Sequence, residues 1–230
     1  MSDLKASVIL LAAGTSRRMG GRDKLLLEYK GKTLLQWAFE LLVSLPLYEK
    51  ILVTSKTRLE QINIQYSIVP ALITDEIPAK VELSHLIHTL NLPSDVHAII
   101  NPTPEKGQSE SLRLGLEAAS GQWYLFLAAD QPLLTCSCLQ PLFQLAKTNT
   151  DKIIFPSING KPCTPTLFPA RYRENLQNLT GDTGGRAIRA ANPEACLPYE
   201  VENPECFIDI DNEEDYRLLM QNAECRINTP

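Results

Sequence analysis

The sequence has no long hydrophobic run. Its opening apolar stretch, Val8 to Ala13, is too short for a signal peptide or a membrane span, and no later stretch is long enough. A soluble, cytoplasmic protein is the expectation. No C-x-x-C pair occurs among the cysteines at 136, 138, 163, 196, 206 and 225, so neither a zinc knuckle nor thioredoxin-like chemistry is signalled. Cys136-Ser-Cys138 is only a C-x-C, and the cysteines read as free and buried. Histidine is scarce, at positions 85, 88 and 97. His85 and His88 stand one helical turn apart, as ligands can, but no Asp, Glu or Cys cluster accompanies them and a solvated helix face is expected. An excess of basic charge is also missing: 22 basic residues face 27 acidic ones, a net charge of −5. That balance argues against a general binder of nucleic acid or anionic membranes and leaves room for a local basic site. With no repeat, low-complexity tract or Pro/Gly linker, residues 1–230 read as one domain.

What is present is alternation. Ser7–Ala13, Lys50–Ser55, Val96–Asn101, Trp123–Ala128 and Lys152–Pro156 read as strands, with shorter extended pieces around 163–168 and 195–210. Thr33–Leu45, Ser109–Ala119, Cys138–Lys147 and Asn212–Gln221 read as helices. Strands alternating with helices predict an α/β chain, a three-layer Rossmann-like architecture with a mainly parallel sheet covered on both faces. In such sheets ligands sit at the carboxyl ends of strands near the switch in strand order. The loops after the first, third and fourth strands are therefore the places to look. Residues 56–95 carry the least information.

The first of those loops is "LLAAGTSRRMGGRDKLLLEY". Ala12, Ala13 and Gly14 follow the strand directly. Small side chains let a ligand approach the backbone, and glycine permits positive φ, so that successive N–H groups can turn toward one anion. Arg17, Arg18 and Lys24 add positive charge to offset the roughly −4 of a triphosphate. A Walker A loop is excluded by spacing, because Gly14 and Gly20 are six apart and Gly21 stands where its lysine belongs. The G-x-G-x-x-G fingerprint of dinucleotide-binding folds does not occur here.

Taken together, L-A-A-G-x-S-x-R-M-G and the K-L-L-L that follows, within Leu11–Leu27, resemble the signature of nucleotidyltransferases with the GT-A-like nucleotide-diphospho-sugar transferase fold. Among these the chain most resembles the molybdenum cofactor cytidylyltransferases and their relatives. The resemblance implies that Leu11, Ala12, Ala13, Gly14, Ser16, Arg18 and Lys24 hold the nucleoside triphosphate. Gly107, Ser109 and Ser111 resemble the element that meets base and ribose; Ser109 also suits the N-cap of a helix. Asp130, in "FLAADQPLL", matches a metal-binding aspartate, with an Asp-x-Pro turn as the plainer reading. Asp211, in "CFIDIDNEEDYRLL", matches the second metal ligand, with Asp209 beside it. Asp211 would equally cap the last helix, with Glu214 at N3. Gly181, Asp182, Gly184 and Arg186 fit an L-x-G-D-x-G-x-R element near the second substrate, which makes Asp182 and Arg186 acceptor-binding candidates. The G-x-R-G-[HN]-P element of relatives is altered here: Pro162, Cys163 and Thr164 replace its Arg, Gly and His/Asn.

The implied reaction is Mg²⁺- or Mn²⁺-dependent nucleotidyl transfer with loss of pyrophosphate, carried by Arg18, Lys24, Asp130 and Asp211. Ala12-Ala13, where guanylyl-transferring relatives resemble Ala-Gly-Gly, points to CTP. The implied acceptor is a molybdopterin-type phosphate, and a molybdoenzyme is an implied partner. A sugar- or polyol-phosphate nucleotidyltransferase and a non-catalytic nucleotide or cofactor carrier stand as alternatives.

Overall fold

A computed structural model describes residues 4–14, 23–55, 58 and 95–227, with side chains as far as 222. In chain order the strands are β1 (Ala6–Ala12), β2 (Glu28–Tyr29), β3 (Lys32–Thr33), β4 (Glu49–Thr54) and β5 (Val96–Ile100). They continue with β6 (Trp123–Ala128), β7 (Ile153–Ile158), β8 (Lys161–Pro162), β9 (Thr166–Pro169) and β10 (Cys196–Glu200). The helices are α1 (Leu34–Ser44), α2 (Gln108–Ala118), α3 (Cys136–Thr148), α4 (Arg173–Gln177), α5 (Gly185–Ala191) and α6 (Glu213–Ile227).

The main sheet runs β10-β7-β9-β6-β1-β4-β5, with β8 paired to β7 and β2–β3 forming a separate hairpin. Pairings β1–β4, β1–β6, β4–β5 and β7–β10 are parallel, whereas β9 runs antiparallel to both β6 and β7. The expected parallel architecture therefore holds, with one reversed strand inserted beside β6. Strand order changes direction at β1, the switch point where ligands gather at carboxyl ends.

β1 reads as a continuous apolar run because both of its faces are covered. Val8, Leu10 and Ala12 pack with α1 and α3 through Leu42, Leu139, Leu142 and Phe143. Ile9 packs on the opposite face with Ile51, Val53, Leu116 of α2, Leu176 of α4 and Ile188 of α5. A smaller cluster, Tyr29, Leu34, Ile210 and Leu219, docks α6 against the β2–β3 hairpin and so brings the 209–211 segment to the sheet. α1 starts where its capping box requires: the Thr33 hydroxyl accepts from Gln36 N at 3.2 Å, and Thr33 N donates to Gln36 Oε1 at 2.6 Å.

Several expectations need revision. The extended piece expected across 195–210 ends as a strand at Glu200; a 3₁₀ turn occupies Pro204–Phe207. The five cysteines whose side chains are described are free but only partly buried. His97 sits exposed on β5, while His85 and His88 fall outside the described residues. Among the described residues no helix is long and apolar enough to cross a membrane.

Gly115 sets how closely α2 approaches the sheet. A Cβ there would meet Ile9 Cγ2 at 2.4 Å and Val53 Cγ2 at 3.2 Å. Gly115→Ala must push α2 away from β1 and β4, and overpacking of this kind costs about 1–3 kcal/mol. Urea unfolding should show that loss as a lower midpoint at constant slope; an unchanged midpoint would mean that α2 does not depend on this contact.

Candidate active site

The site forms where three distant segments meet at the carboxyl ends of β1 and β6. β1 delivers Ala12 and Ala13, which are buried, and then Gly14, around which a Cβ would find open space. Gly14 does not use the positive φ that glycine permits; its contribution is low bulk and a carbonyl. That carbonyl accepts from Arg58 Nη2 at 2.6 Å, and the same nitrogen pairs with Asp23 Oδ1 at 2.9 Å. Arg58 is nearly fully buried and ties the two flanks of the basic loop together. Ser16 and Arg18 lie outside the described residues.

Asp23 also caps the short 3₁₀ turn Lys24–Leu26 by accepting from Leu25 N at 3.1 Å. This cap aims Lys24. Its ammonium donates to Asp130 Oδ2 at 2.6 Å and to Asp211 Oδ1 at 3.1 Å. Burial alone would lower the Lys24 pKa, but Asp130 and Asp211 outweigh it and hold the group above its ordinary value. Asp130 follows β6, and its carbonyl accepts from Ile210 N at 3.0 Å, so the two carboxylate-bearing segments are joined through the backbone as well.

Asp211 is not the helix cap. Asn212 takes that role: its Oδ1 accepts from Asp215 N at 3.0 Å, while Asp215 Oδ2 accepts from the N–H groups of Asn212 and Asp211. Glu214, expected at N3, instead pairs with Arg217 on the helix surface. With the capping done one residue later, the Asp211 carboxylate is left to face Lys24. Asp209 keeps a solvent-facing edge, yet crowding by surrounding protein, then the charges of Asp130 and Asp211, push its carboxyl up to about 6.

Whether a divalent cation fits here is decided by Asp130. Its Oδ1 is buried with no hydrogen-bond partner among the described residues, an arrangement that costs free energy unless something binds it. Its Oδ2 and Asp211 Oδ1 already share a positive charge. Among the described residues no group of three or more His, Cys, Asp or Glu side chains is disposed to ligate a metal. Two carboxylates with an open remainder suit a divalent cation that takes oxygen ligands and keeps several waters.

The loop after β5 behaves differently from expectation. Ser109 is not an N-cap: α2 begins at Gln108 with Gly107 ahead of it and no side-chain cap, and Ser109 N donates to the Gly181 carbonyl at 3.1 Å. Ser111 is buried, and its hydroxyl accepts from Asn101 Nδ2 at 2.9 Å. Asn101, which the sequence reading passed over, also accepts from Thr103 N at 2.9 Å and so shapes this loop. Gly107 has φ +99°, and a Cβ on it would strike the Gly181 carbonyl group at 2.5 Å and Asp182 Oδ1 at 2.7 Å. A Cβ on Gly184 would likewise meet Gln108 Oε1 at 2.7 Å. The glycines let the 104–109 and 181–184 loops touch.

That contact closes one side of a cavity of about 260 Å³, which Leu11, Gln108, Ala128, Asp182 and Arg186 help to line. The expected nucleotide-side Leu11 and acceptor-side Asp182 and Arg186 thus share one chamber. Thr164 also lines it. Its hydroxyl donates to Asp209 Oδ1 at 3.4 Å and accepts from Gln131 Nε2 at 3.1 Å, linking the chamber to the carboxylates. Gln131 is a second residue the sequence reading missed; its neighbour in D-Q-P drew the attention, although Gln131 is the buried brace.

The model of the MobA-like NTP transferase domain matches residues 8–196, which takes in β2 to β9, most of β1 and the first residue of β10. The chain belongs to the MobA-like NTP transferase family. It is a nucleotidyltransferase. A molybdenum cofactor guanylyltransferase of Vibrio atlanticus (strain LGP32) is 23% identical over 213 residues, covering 92% of this chain and 93% of the relative. Among solved structures, Rv0371c of Mycobacterium tuberculosis H37Rv superposes with a TM-score of 0.70 at 19% identity, covering 96% of this chain and 100% of that one. The same protein in complex with manganese gives 0.66 at 18% identity, covering 94% and 98%. At such identities these structures establish that the MobA-like fold is shared.

Lys24→Met leaves two carboxylates facing each other with no cation between them. Breaking a buried pair costs about 3–5 kcal/mol; with Asp211 half exposed, about 1–3 kcal/mol is expected for the metal-free protein. Because the Lys24 pKa is raised above 10.5, this contribution stays complete through neutral pH and is lost only as pH rises past the folded-state value. Added Mn²⁺ should stabilise the variant more than the parent, since it fills the place the ammonium held. Urea titrations with and without Mn²⁺ read both effects, and equal Mn²⁺ shifts in parent and variant would refute a shared cation position.

Proposed function

We propose that this chain, acting as one domain, transfers the monophosphate of a nucleoside triphosphate to the phosphate of molybdopterin. The observation that carries the reading is the cation-centred cluster of Lys24, Asp130 and Asp211 beside a cavity with guanidinium groups on its wall. An acceptor phosphate oxygen attacks the α-phosphorus, the bond from that phosphorus to the bridging oxygen breaks, and pyrophosphate departs. The attacking oxygen is already anionic, so no general base is needed. The barrier lies in bringing two polyanions together, and alignment and charge neutralisation lower it.

Asp130 and Asp211 would hold Mg²⁺ or Mn²⁺, which when bound neutralises phosphate charge and orients the reacting oxygens. Lys24 and Arg18 hold the triphosphate and steady the leaving pyrophosphate. Leu11, Ala12, Ala13, Gly14 and Ser16 face the nucleotide, with Gly107 and Ser109 closing the opposite side. Asp182 and Arg186 meet the acceptor. A molybdoenzyme would receive the product.

GTP is the first donor to test, because the curated relatives that the chain matches are named molybdenum cofactor guanylyltransferases. CTP is the second reading, supported by Ala13, whose methyl would narrow a base slot. Ala13 is only 2% exposed, so that methyl is already covered by protein, and GTP is preferred.

Pyrophosphate release with molybdopterin, Mg²⁺ and each of GTP, CTP, ATP and UTP tests the proposal. GTP should support turnover. Asp130→Asn should lower kcat by about 10²–10³, the scale for losing one preorganised electrostatic group, without unfolding the protein. A donor preference for CTP would select the second reading. Failure of all four nucleotides would reject transfer to this acceptor.

A further inference from the structure

Three cationic side chains are buried among the described residues: Lys50, Arg58 and Arg189. Lys50 pairs with Asp95 at 2.7 Å and Arg58 with Asp23 at 2.9 Å. Arg189, only 7% exposed, has no carboxylate partner among the described residues. Its Nη1 donates to the Cys163 carbonyl at 3.1 Å, and its guanidinium lies 4.5 Å from the centre of the Phe155 ring. A carbonyl and a ring face compensate a desolvated guanidinium less completely than an anion does. This one exception lines the cavity described above.

The remainder of the wall shows what would fit. Arg186, one helical turn earlier on α5, adds a second guanidinium against the single carboxylate of Asp182. The same wall includes Leu112, Phe126 and Phe168, the two rings meeting edge to face at 6.1 Å. Cationic donors together with apolar and aromatic lining suit an organic phosphate with a flat ring. Thr164, shared between this wall and Asp209, sets the cavity against the carboxylate cluster.

We propose that Arg189 is the anion-selecting residue of this cavity and admits acceptors carrying a phosphate monoester, a statement that rests on the nucleotidyl-transfer reading for its place in the reaction. Arg189 reaches the chamber from α5 beside the 162–164 segment, and its planar fork can meet two oxygens of one phosphate.

Phenyl phosphate, with phenol as the uncharged control, serves as a probe that needs no turnover. By calorimetry the parent protein should bind phenyl phosphate at least tenfold more tightly than phenol. Arg189→Gln should weaken phenyl phosphate at least tenfold and leave the Kd for GTP within twofold. Arg189→Lys, which keeps the charge without the fork, should recover part of the loss. Should Arg189→Gln fail to fold, Arg189→Lys and Arg186→Gln carry the test, each weakening the probe without altering nucleotide affinity. In turnover the signature is a raised acceptor KM with an unchanged nucleotide KM. Equal affinity of parent and Arg189 variants for phenyl phosphate, no binding by the parent, or equal binding of phenol overturns the inference. Arg189-dependent probe binding without transfer to molybdopterin would reject the proposed acceptor and leave this inference standing. Transfer with an unaltered acceptor KM in Arg189→Gln would reject this inference alone.

Discussion

An ammonium lodged between two carboxylates holds the reactive end of this molecule together. Lys24 lies 106 residues from Asp130 and 187 from Asp211, so the trio ties together segments far apart in the chain. Each member is aimed by something else: Lys24 by the Asp23-capped turn, Asp130 by the end of β6, Asp211 by a helix capped one residue further on. Remove the ammonium and the carboxylates repel; remove either carboxylate and a mostly buried cation loses a partner. The trio therefore carries structural weight as well as charge, and its geometry lets one cation replace another. Asp130 is the deeper of the two acids, with one oxygen on Lys24 and the other buried with no partner among the described residues. Asp211, with a side chain 53% exposed, is the one that can adjust when a new cation arrives.

A second constraint is steric. The 104–109 loop and the 181–184 loop come together only because Gly107 and Gly184 have no side chains. Ser109 N reaches across to the Gly181 carbonyl, which converts proximity into a hydrogen bond. One loop belongs to the nucleotide side and the other to the acceptor side of the proposed reaction. Their contact makes the two substrates' walls parts of one rigid lining, which is how a fold lowers the entropy cost of aligning two reactants.

The strands were legible because β1, β4 and β6 are covered on both faces, which makes their central residues continuous apolar runs. The helices were legible where one face is buried, as in α1, with Leu34, Ala38, Leu41 and Leu45 all inside. The reversal of β9 left no mark in the sequence: four residues that pair with β6 and β7 read the same in either direction. Asp130 and Asp211 stand out as acids at the end of apolar runs and Lys24 as the cation that opens one, each within a segment that carries the family resemblance. Arg58, Asn101, Gln131 and Arg189 do not, since each makes a contact with a residue distant in sequence that no local pattern signals, even where, as for Gln131 in D-Q-P, the neighbouring residue is marked. Ser111 shows the same dependence: its hydroxyl accepts from Asn101, ten residues earlier, a bond that no local pattern signals.

The buried arginines show why charge alone does not reveal a site. Arg58 and Arg189 are equally hidden from water, and composition cannot tell them apart. Arg58 is satisfied internally, by a carbonyl and by Asp23, and its charge goes into holding backbone in place. Arg189 has a carbonyl and an aromatic face but, among the described residues, no acid, so its charge is less completely compensated inside a cavity. A fold that keeps such a group must offset its desolvation elsewhere, here with the packing of α5 on Phe155 and Phe168. An anionic ligand reverses that debt when it binds, because both charges are then paired in a medium of low polarity. A neutral ligand of the same shape offers no such pairing, and the proposed discrimination comes from a guanidinium that has no carboxylate partner among the described residues.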